Sequence, residues 1–111
     1  MTIRKLVEKL NLKVFSGDNG LDHNISMGYC SDLLSDVMGN AKEGDLWITL
    51  QTHKNVMAVA SLKDLSAILL VNNLTPNADT IESSNKEGIP ILGTSLSAFE
   101  ICGQTYTLLK K

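Results

Sequence analysis

The chain has 111 residues, of which 43% are hydrophobic and 20% charged, and its formal net charge at pH 7 is −2. These values are typical of a globular protein, and we expect residues 1–111 to form a single domain. The basic residues form no stripe along the sequence, which argues against nucleic-acid binding. The longest apolar run, residues 67–71, is far shorter than the ~20 residues of a membrane helix, and the first residues lack a signal-peptide pattern. We therefore expect a cytoplasmic protein that does not enter a membrane.

The order of the predicted elements favours a parallel sheet. Apolar residues recur at helical spacing over residues 3–10, where Thr2 is placed to cap the first helix. A strand of undecided direction follows over residues 12–16. Four further strands are predicted, each followed by a helix with an apolar stripe; they lie near 24–29, 45–50, 67–71 and 89–92.

This repeating strand–helix order predicts an α/β fold. We expect a small, mainly parallel sheet of four to five strands with helices on both faces. Ser31 or Asp32 is predicted to cap the helix after the first of the four strands. Ser97 and Glu100 fit a capping box that begins the last helix.

The sequence resembles the DRTGG domain family over most of its length. The resemblance is carried by Gly28-Tyr29-Cys30-Ser31-Asp32 and the residues up to Met38, and by residues 44–49, 67–70 and 88–92. Stand-alone members of this kind are labelled as HPr serine kinase-like or iron–sulfur-binding hydrogenase proteins, and the family is related to the N-terminal domain of HPr kinase/phosphorylase. The resemblance implies an α/β regulatory domain that dimerises. Where the family has Asp-Arg this chain has Gln51-Thr52-His53, and where the family has Thr-Gly-Gly it has Asn72-Asn73.

Polar residues follow the predicted parallel strands, whose carboxyl ends form the usual ligand-binding edge of such a sheet. A helix start with Thr52, His53 and Asn55 suits an anion, because free backbone N–H groups add to the side chains. A protonated His53 would donate from both ring nitrogens, so affinity should rise as the pH falls. The alternative is that Thr52 and His53 only cap the helix. The predicted rim of the site consists of Ser31, Asp32, Asn72 and Thr94.

No motif in the chain favours catalysis. The glycines do not form a phosphate-binding loop, and the histidines and carboxylates lack metal-ligand spacing. We therefore expect neither a cofactor nor a bound metal. Cys30 and Cys102 are predicted to be reduced and buried, on elements that need not meet, and two thiols fall short of the four that an iron–sulfur cluster needs. A Cys30–His53 pair remains an alternative to a packed thiol and a capping imidazole.

The sequence thus favours a non-catalytic regulatory or ligand-binding domain. Its predicted partner is a nucleotide-like or other anionic small molecule, or another protein, and we expect a homodimer. Residues 28–38 and the surroundings of Trp47 are the expected interface. The alternative function is that of an accessory protein in hydrogenase or redox metabolism, with or without a cofactor.

Overall fold

The computed structural model describes residues 1–110. Within this range the chain forms five helices and five strands, together with a short 3-10 turn at Asp18–Gly20. The helices are α1 (Ile3–Leu10), α2 (Leu34–Asn40), α3 (Asn55–Leu62), α4 (Ala78–Glu87) and α5 (Ala98–Leu109). The strands are β1 (Lys13–Ser16), β2 (Gly28–Cys30), β3 (Leu46–Thr49), β4 (Ala67–Leu70) and β5 (Ile91–Gly93).

The five strands form one sheet in the order β1-β5-β4-β3-β2. Strands β2 to β5 are parallel to one another, and β1 runs antiparallel to β5. The predicted α/β fold with a mainly parallel sheet is confirmed. Pairing with β5 also settles the direction of β1, which the sequence left open.

The side chains of the central strands alternate between two apolar cores. On one face, Trp47 and Ile68 pack with α2 and α3. On the other face, Ile48 and Leu69 pack with α1 and α5. This alternation is the normal consequence of the strand period of two residues, and it confirms the prediction of helices on both faces.

Two of the predicted helix starts are confirmed and one is wrong. The Thr2 hydroxyl caps α1 by accepting a hydrogen bond from the Lys5 N–H at 3.1 Å, and the capping box at the start of α5 is complete. Helix α2, in contrast, begins after Leu33 without a side-chain cap. The Asp32 carboxylate turns to the end of β3 instead, as described below.

Trp47 is completely buried, so its own side chain is not part of the interface expected around it. Its indole N–H donates a hydrogen bond of 2.8 Å to the Ser31 carbonyl oxygen, which satisfies its polar atom inside the core. The spacing of Phe99, Cys102 and Tyr106 predicts an apolar face on α5, which is partly wrong because Phe99 is 90% exposed. The helix turns Ile101, Thr105 and Leu109 inward instead.

No helix in residues 1–110 combines the length and the apolar character needed to cross a membrane.

Candidate functional site

The four parallel strands end at one edge of the sheet. The connections that leave this edge are residues 31–33, 50–54, 71–77 and 94–97. Six of the seven predicted site residues lie in these connections, and the seventh, Asn55, is the first residue of α3. The parallel sheet therefore brings the predicted residues to one edge of the molecule, as the sequence suggested.

The connections leave this edge toward both faces of the sheet. From β2 to β5 each crossover moves to the neighbouring strand, and α2, α3 and α4 pack side by side on one face. After β5 the chain crosses to the opposite face, where α5 packs against β2 and β3. The connections therefore diverge between β4 and β5, which is where an open α/β sheet forms its ligand crevice.

A cavity of about 200 Å³ lies at this divergence. Lys13, Asn73, Thr94 and Ser95 are among its lining residues. The Lys13 ammonium lies 4.7 Å from the centroid of the Phe15 ring, which also lines the cavity. Sequence reasoning missed Lys13 because it lies on β1, and only the antiparallel pairing with β5 brings the start of β1 to this edge.

The loop after β4 has an unusual backbone. Asn72 and Asn73 both adopt left-handed conformations, with φ of 56° and 60°. Asparagine tolerates this region better than other residues that have a Cβ. The Asn72 N–H donates to the Leu96 carbonyl oxygen and the Asn73 N–H to the Thr94 carbonyl oxygen, both at 2.9 Å. This pair stands where the resembled family has Thr-Gly-Gly, and it joins the loops that follow β4 and β5.

The start of α3 is open to solvent. None of its side chains forms a cap, contrary to the alternative that Thr52 and His53 cap the helix. The backbone N–H groups of His53, Lys54 and Asn55 donate no hydrogen bond to any residue in 1–110. His53 instead lies beside the start of α4, with its Nδ1 3.2 Å from Asn77 Nδ2.

The backbone carbonyl group of Thr52 contacts the neighbouring helix α4. Its carbonyl oxygen accepts hydrogen bonds from the Asn77 N–H at 3.1 Å and from the Thr80 hydroxyl at 2.9 Å. Because Thr80 is buried in α4, these bonds fix the loop before α3 against the neighbouring helix. The position of His53 is therefore set by the packing of α3 on α4.

Two rim residues have structural roles in the connection after β2. Asp32 Oδ1 accepts hydrogen bonds from the Thr49 hydroxyl at 2.9 Å and from the Leu50 N–H at 2.7 Å. The Ser31 hydroxyl accepts from the Leu33 N–H at 3.2 Å. These contacts place Asp32 at the end of β3.

The two cysteines are neighbours, against the expectation that their elements need not meet. Both line a cavity of about 240 Å³ between β2 and α5, and Cys30 is exposed at its edge, so the prediction that it is buried is wrong. Burial of part of the Cys30 thiol raises its pKa to about 11, with further contributions from hydrogen bonding to Cys102 and from the negative charge of Asp32. Cys30 therefore lies beside Cys102 as a free thiol, while His53 contacts Asn77.

The titratable side chains of the described part of the chain do not converge on a metal site. Among residues 1–110, no group of three or more histidine, cysteine, aspartate or glutamate side chains is arranged to hold an ion. The chemistry available at the carboxyl edge is that of backbone N–H groups, the Lys13 and Lys54 ammonium groups, the His53 imidazole, and hydroxyl and amide side chains, with the Asp32 carboxylate on the rim.

Comparison with known proteins identifies the fold. No protein-family model and no curated protein matches the chain. A solved structure of the CBS and DRTGG domains of the regulatory region of Clostridium perfringens pyrophosphatase, complexed with its activator diadenosine tetraphosphate, matches with a TM-score of 0.67 and 15% sequence identity. The match covers 95% of this chain and 45% of that one, so the chain spans less than half of that regulatory region. The chain therefore has a DRTGG-like α/β fold of the kind found in that regulatory region.

Proposed function

We propose that this chain is a non-catalytic regulatory domain that binds a nucleotide-like or other anionic small molecule at the carboxyl edge of its sheet. The structurally similar pyrophosphatase region is regulatory and is complexed with a nucleotide activator, which is consistent with such a role.

The observation that carries the proposal is the uncapped start of α3. The N–H groups of His53, Lys54 and Asn55 are free of hydrogen bonds to the described residues, and all three side chains are exposed. Free N–H groups at a helix start carry the positive end of the helix dipole and bind anions. Lys54 adds a full positive charge to this position.

The crevice between β4 and β5 supports a ligand longer than a single phosphate. Its cavity is lined by Lys13 and by the polar residues Asn73, Thr94 and Ser95. The connection after β4 runs from this cavity to the start of α4, which lies beside His53. A nucleotide has a negatively charged part and a polar sugar and base. We propose that the charged part lies at the start of α3 and that the remainder extends along the edge toward Lys13.

A thermal-shift screen tests the proposal with inorganic phosphate, AMP, ATP and diadenosine tetraphosphate as probes. At least one probe should raise the melting temperature, and calorimetry on that probe gives its dissociation constant. The double substitution of His53→Ala and Lys54→Met should weaken binding by roughly three- to thirtyfold, because it removes part of the anion site. Lys13→Met should weaken binding by a similar factor, because Lys13 lines the crevice proposed for the rest of the ligand.

Lys42→Met is the matched control, because Lys42 is exposed and precedes β3 at the opposite edge of the sheet. This substitution lowers the net charge by the same one unit as Lys13→Met, and it should leave the affinity within about twofold of the wild-type value. Failure of every probe to stabilise the wild-type protein would refute the proposed function. Unchanged affinity in the His53/Lys54 double variant would place the ligand elsewhere.

We also propose that the domain forms a homodimer through the free edge of β2. This strand pairs only with β3 in residues 1–110 and carries no charged residue, which leaves its other edge available for pairing. Leu33, immediately after it, is 64% exposed. Strand β1, at the other edge, carries Lys13, and a charge of this kind discourages edge pairing.

Light scattering coupled to size-exclusion chromatography tests this assembly. The wild-type protein should have about twice the chain mass of 12.1 kDa. Leu33→Glu should shift the mass toward that of the monomer, since it places a charge beside the β2 edge. Leu62→Glu is the control, because Leu62 is similarly exposed but lies on α3. A monomeric wild-type protein at micromolar concentration would contradict the proposed dimer.

A role as an accessory protein of redox metabolism is a second candidate, favoured by the neighbouring thiols of Cys30 and Cys102. Protein purified under anaerobic conditions should then contain iron in a fixed ratio to the chain and absorb visible light. A colourless, iron-free protein that is stabilised by a nucleotide would favour the regulatory role instead.

A further inference from the structure

A second cavity lies on the other side of the molecule from α3. It has a volume of about 240 Å³ and is bounded by the edge of β2 and by the inner face of α5. Its lining includes Met27, Tyr29, Cys30, Cys102, Thr105 and Leu109. An engineered apolar protein cavity of about 150 Å³ binds benzene, so this volume has room for one aromatic ring with a substituent.

Thr105 belongs to this apolar wall, and its hydroxyl oxygen is buried behind the cavity surface. The residue is 2% exposed, and its hydroxyl has no hydrogen-bond partner among residues 1–110. A threonine inside a helix can bond the carbonyl oxygen four residues before it, as Thr107 does with Gly103 at 3.0 Å. Thr105 makes no such bond. A buried hydroxyl without a partner is unfavourable, and a rotation of the Thr105 side chain toward the cavity would let a ligand with one polar group satisfy it.

The electrostatic environment of the cavity favours a neutral ligand. No charged side chain lines it. The Cys30 thiol is protonated at neutral pH, as an ordinary thiol is, and partial burial raises its pKa further, to about 11; the nearby negative charge of Asp32 contributes to the same shift. An anion would meet this negative charge in apolar surroundings, where the solvation it loses is not replaced.

We propose that the cavity between β2 and α5 binds a small, neutral, mainly apolar molecule whose single polar group forms a hydrogen bond with the Thr105 hydroxyl. This site differs from the proposed anion site in position and in chemistry. Its ligand lies on the α5 face of the sheet, while the anion lies at the start of α3 on the opposite face.

Phenol and toluene form a matched pair of probes, since they have similar size and differ in one hydroxyl group. Titration of the full chain is followed through amide ¹H–¹⁵N NMR signals. Both probes should give saturable shifts at Cys30, Cys102 and Thr105. In Thr105→Val, which keeps the shape but removes the hydroxyl, the ratio of the phenol to the toluene dissociation constant should rise roughly five- to tenfold, the size expected for one hydrogen bond.

Thr107→Val is the control on the same helix, because the Thr107 side chain is exposed and its hydroxyl is bonded to Gly103. It should leave the ratio unchanged. The titrations are repeated in Leu33→Glu, so that self-association at β2 does not cover the cavity. Absence of saturable shifts in both the wild type and Leu33→Glu, shifts confined to other residues, or an unchanged ratio in Thr105→Val would overturn the proposal. The response to phosphate and nucleotides is independent of these outcomes, so each proposal can fail alone.

Discussion

The Asp32 carboxylate accepts a 2.9 Å hydrogen bond from the hydroxyl of Thr49, which is 1% exposed. The same carboxylate oxygen accepts from the Leu50 N–H at 2.7 Å. Together these bonds join the loop after β2 to the end of β3. Asp32 thus stabilises the strand end from which the proposed anion site begins, although it follows a different strand.

Asp32→Ala should destabilise the protein, because it leaves the buried Thr49 hydroxyl without its acceptor. We expect a loss of about 1–3 kcal/mol in the free energy of unfolding, measured with urea at pH 7. Asp32→Asn keeps one acceptor oxygen and should lose less. Glu43→Gln removes an exposed carboxylate elsewhere and serves as the control. If Asp32→Ala and Glu43→Gln have the same stability, the two bonds contribute nothing.

Ser84→Ala tests the polar contact between α4 and β1. The Ser84 hydroxyl donates to the Ile89 carbonyl oxygen at 2.6 Å and accepts from the Ser16 hydroxyl at 2.8 Å, and both serines are buried. Removing it leaves two buried polar groups unpaired, which should cost about 1–3 kcal/mol in thermal or urea unfolding. Ser83→Ala, at the preceding and less buried position of α4, gives the effect of alanine on the helix alone. Equal stability of the two variants would contradict the role of Ser84.

Two glycines should respond in opposite directions to alanine. Gly17 has φ of 75°, and a Cβ there would lie 2.5 Å from Pro90 Cα, so Gly17→Ala should destabilise by about 2 kcal/mol or more. Gly39 lies in α2 with nothing within 4 Å of an added Cβ. Gly39→Ala should therefore stabilise by about 0.5–1 kcal/mol through its higher helix propensity. Urea midpoints give both values, and a neutral Gly17→Ala would show that the turn before the 3-10 segment can move.

The Cys30 thiol should react slowly. With a pKa of about 11, raised first by burial, its thiolate is scarce at pH 8. The Cys102→Ser variant leaves Cys30 as the only cysteine and keeps its partial burial, which is the largest cause of the raised pKa. Alkylation of this variant by iodoacetamide should be slower than for an unperturbed thiol, and its rate should rise steadily beyond pH 9. A rate that levels off near pH 8.5 would contradict the burial of this thiol.

The raised pKa of Cys30 also predicts how the stability of the protein changes at high pH. The pKa of Cys30 is higher in the folded than in the unfolded chain. The stability that the protonated thiol contributes is therefore fully present below the pKa of the unfolded chain, which is near 9. It decreases as the pH rises toward 11, where the unfolded state has lost the proton and the folded state still holds it. Cys30→Ala should therefore show a weaker loss of stability between pH 9 and 11 than the wild type. Parallel pH profiles would argue against the shift.

The candidate site could be predicted only in part from the sequence. The polar residues after Leu50 were found because they interrupt two strongly apolar segments. Lys13 was missed, since its place at the ligand edge depends on the direction in which β1 pairs with β5. Asp32 was predicted to cap α2, but its carboxylate has better partners in Thr49 and Leu50, which are distant in sequence.

The sequence by itself determined the elements of this protein and the α/β class, because helix and strand periods and capping residues act over a few neighbouring positions. Thr2, Ser97 and the alternating residues of β3 and β4 are examples. The tertiary structure alone decided which elements are neighbours. It placed Trp47 fully inside the core, brought Cys30 beside Cys102, and left the Thr105 hydroxyl unpaired in the wall of a cavity. These relationships depend on how the layers pack, and packing selects among many pairings that local patterns permit equally.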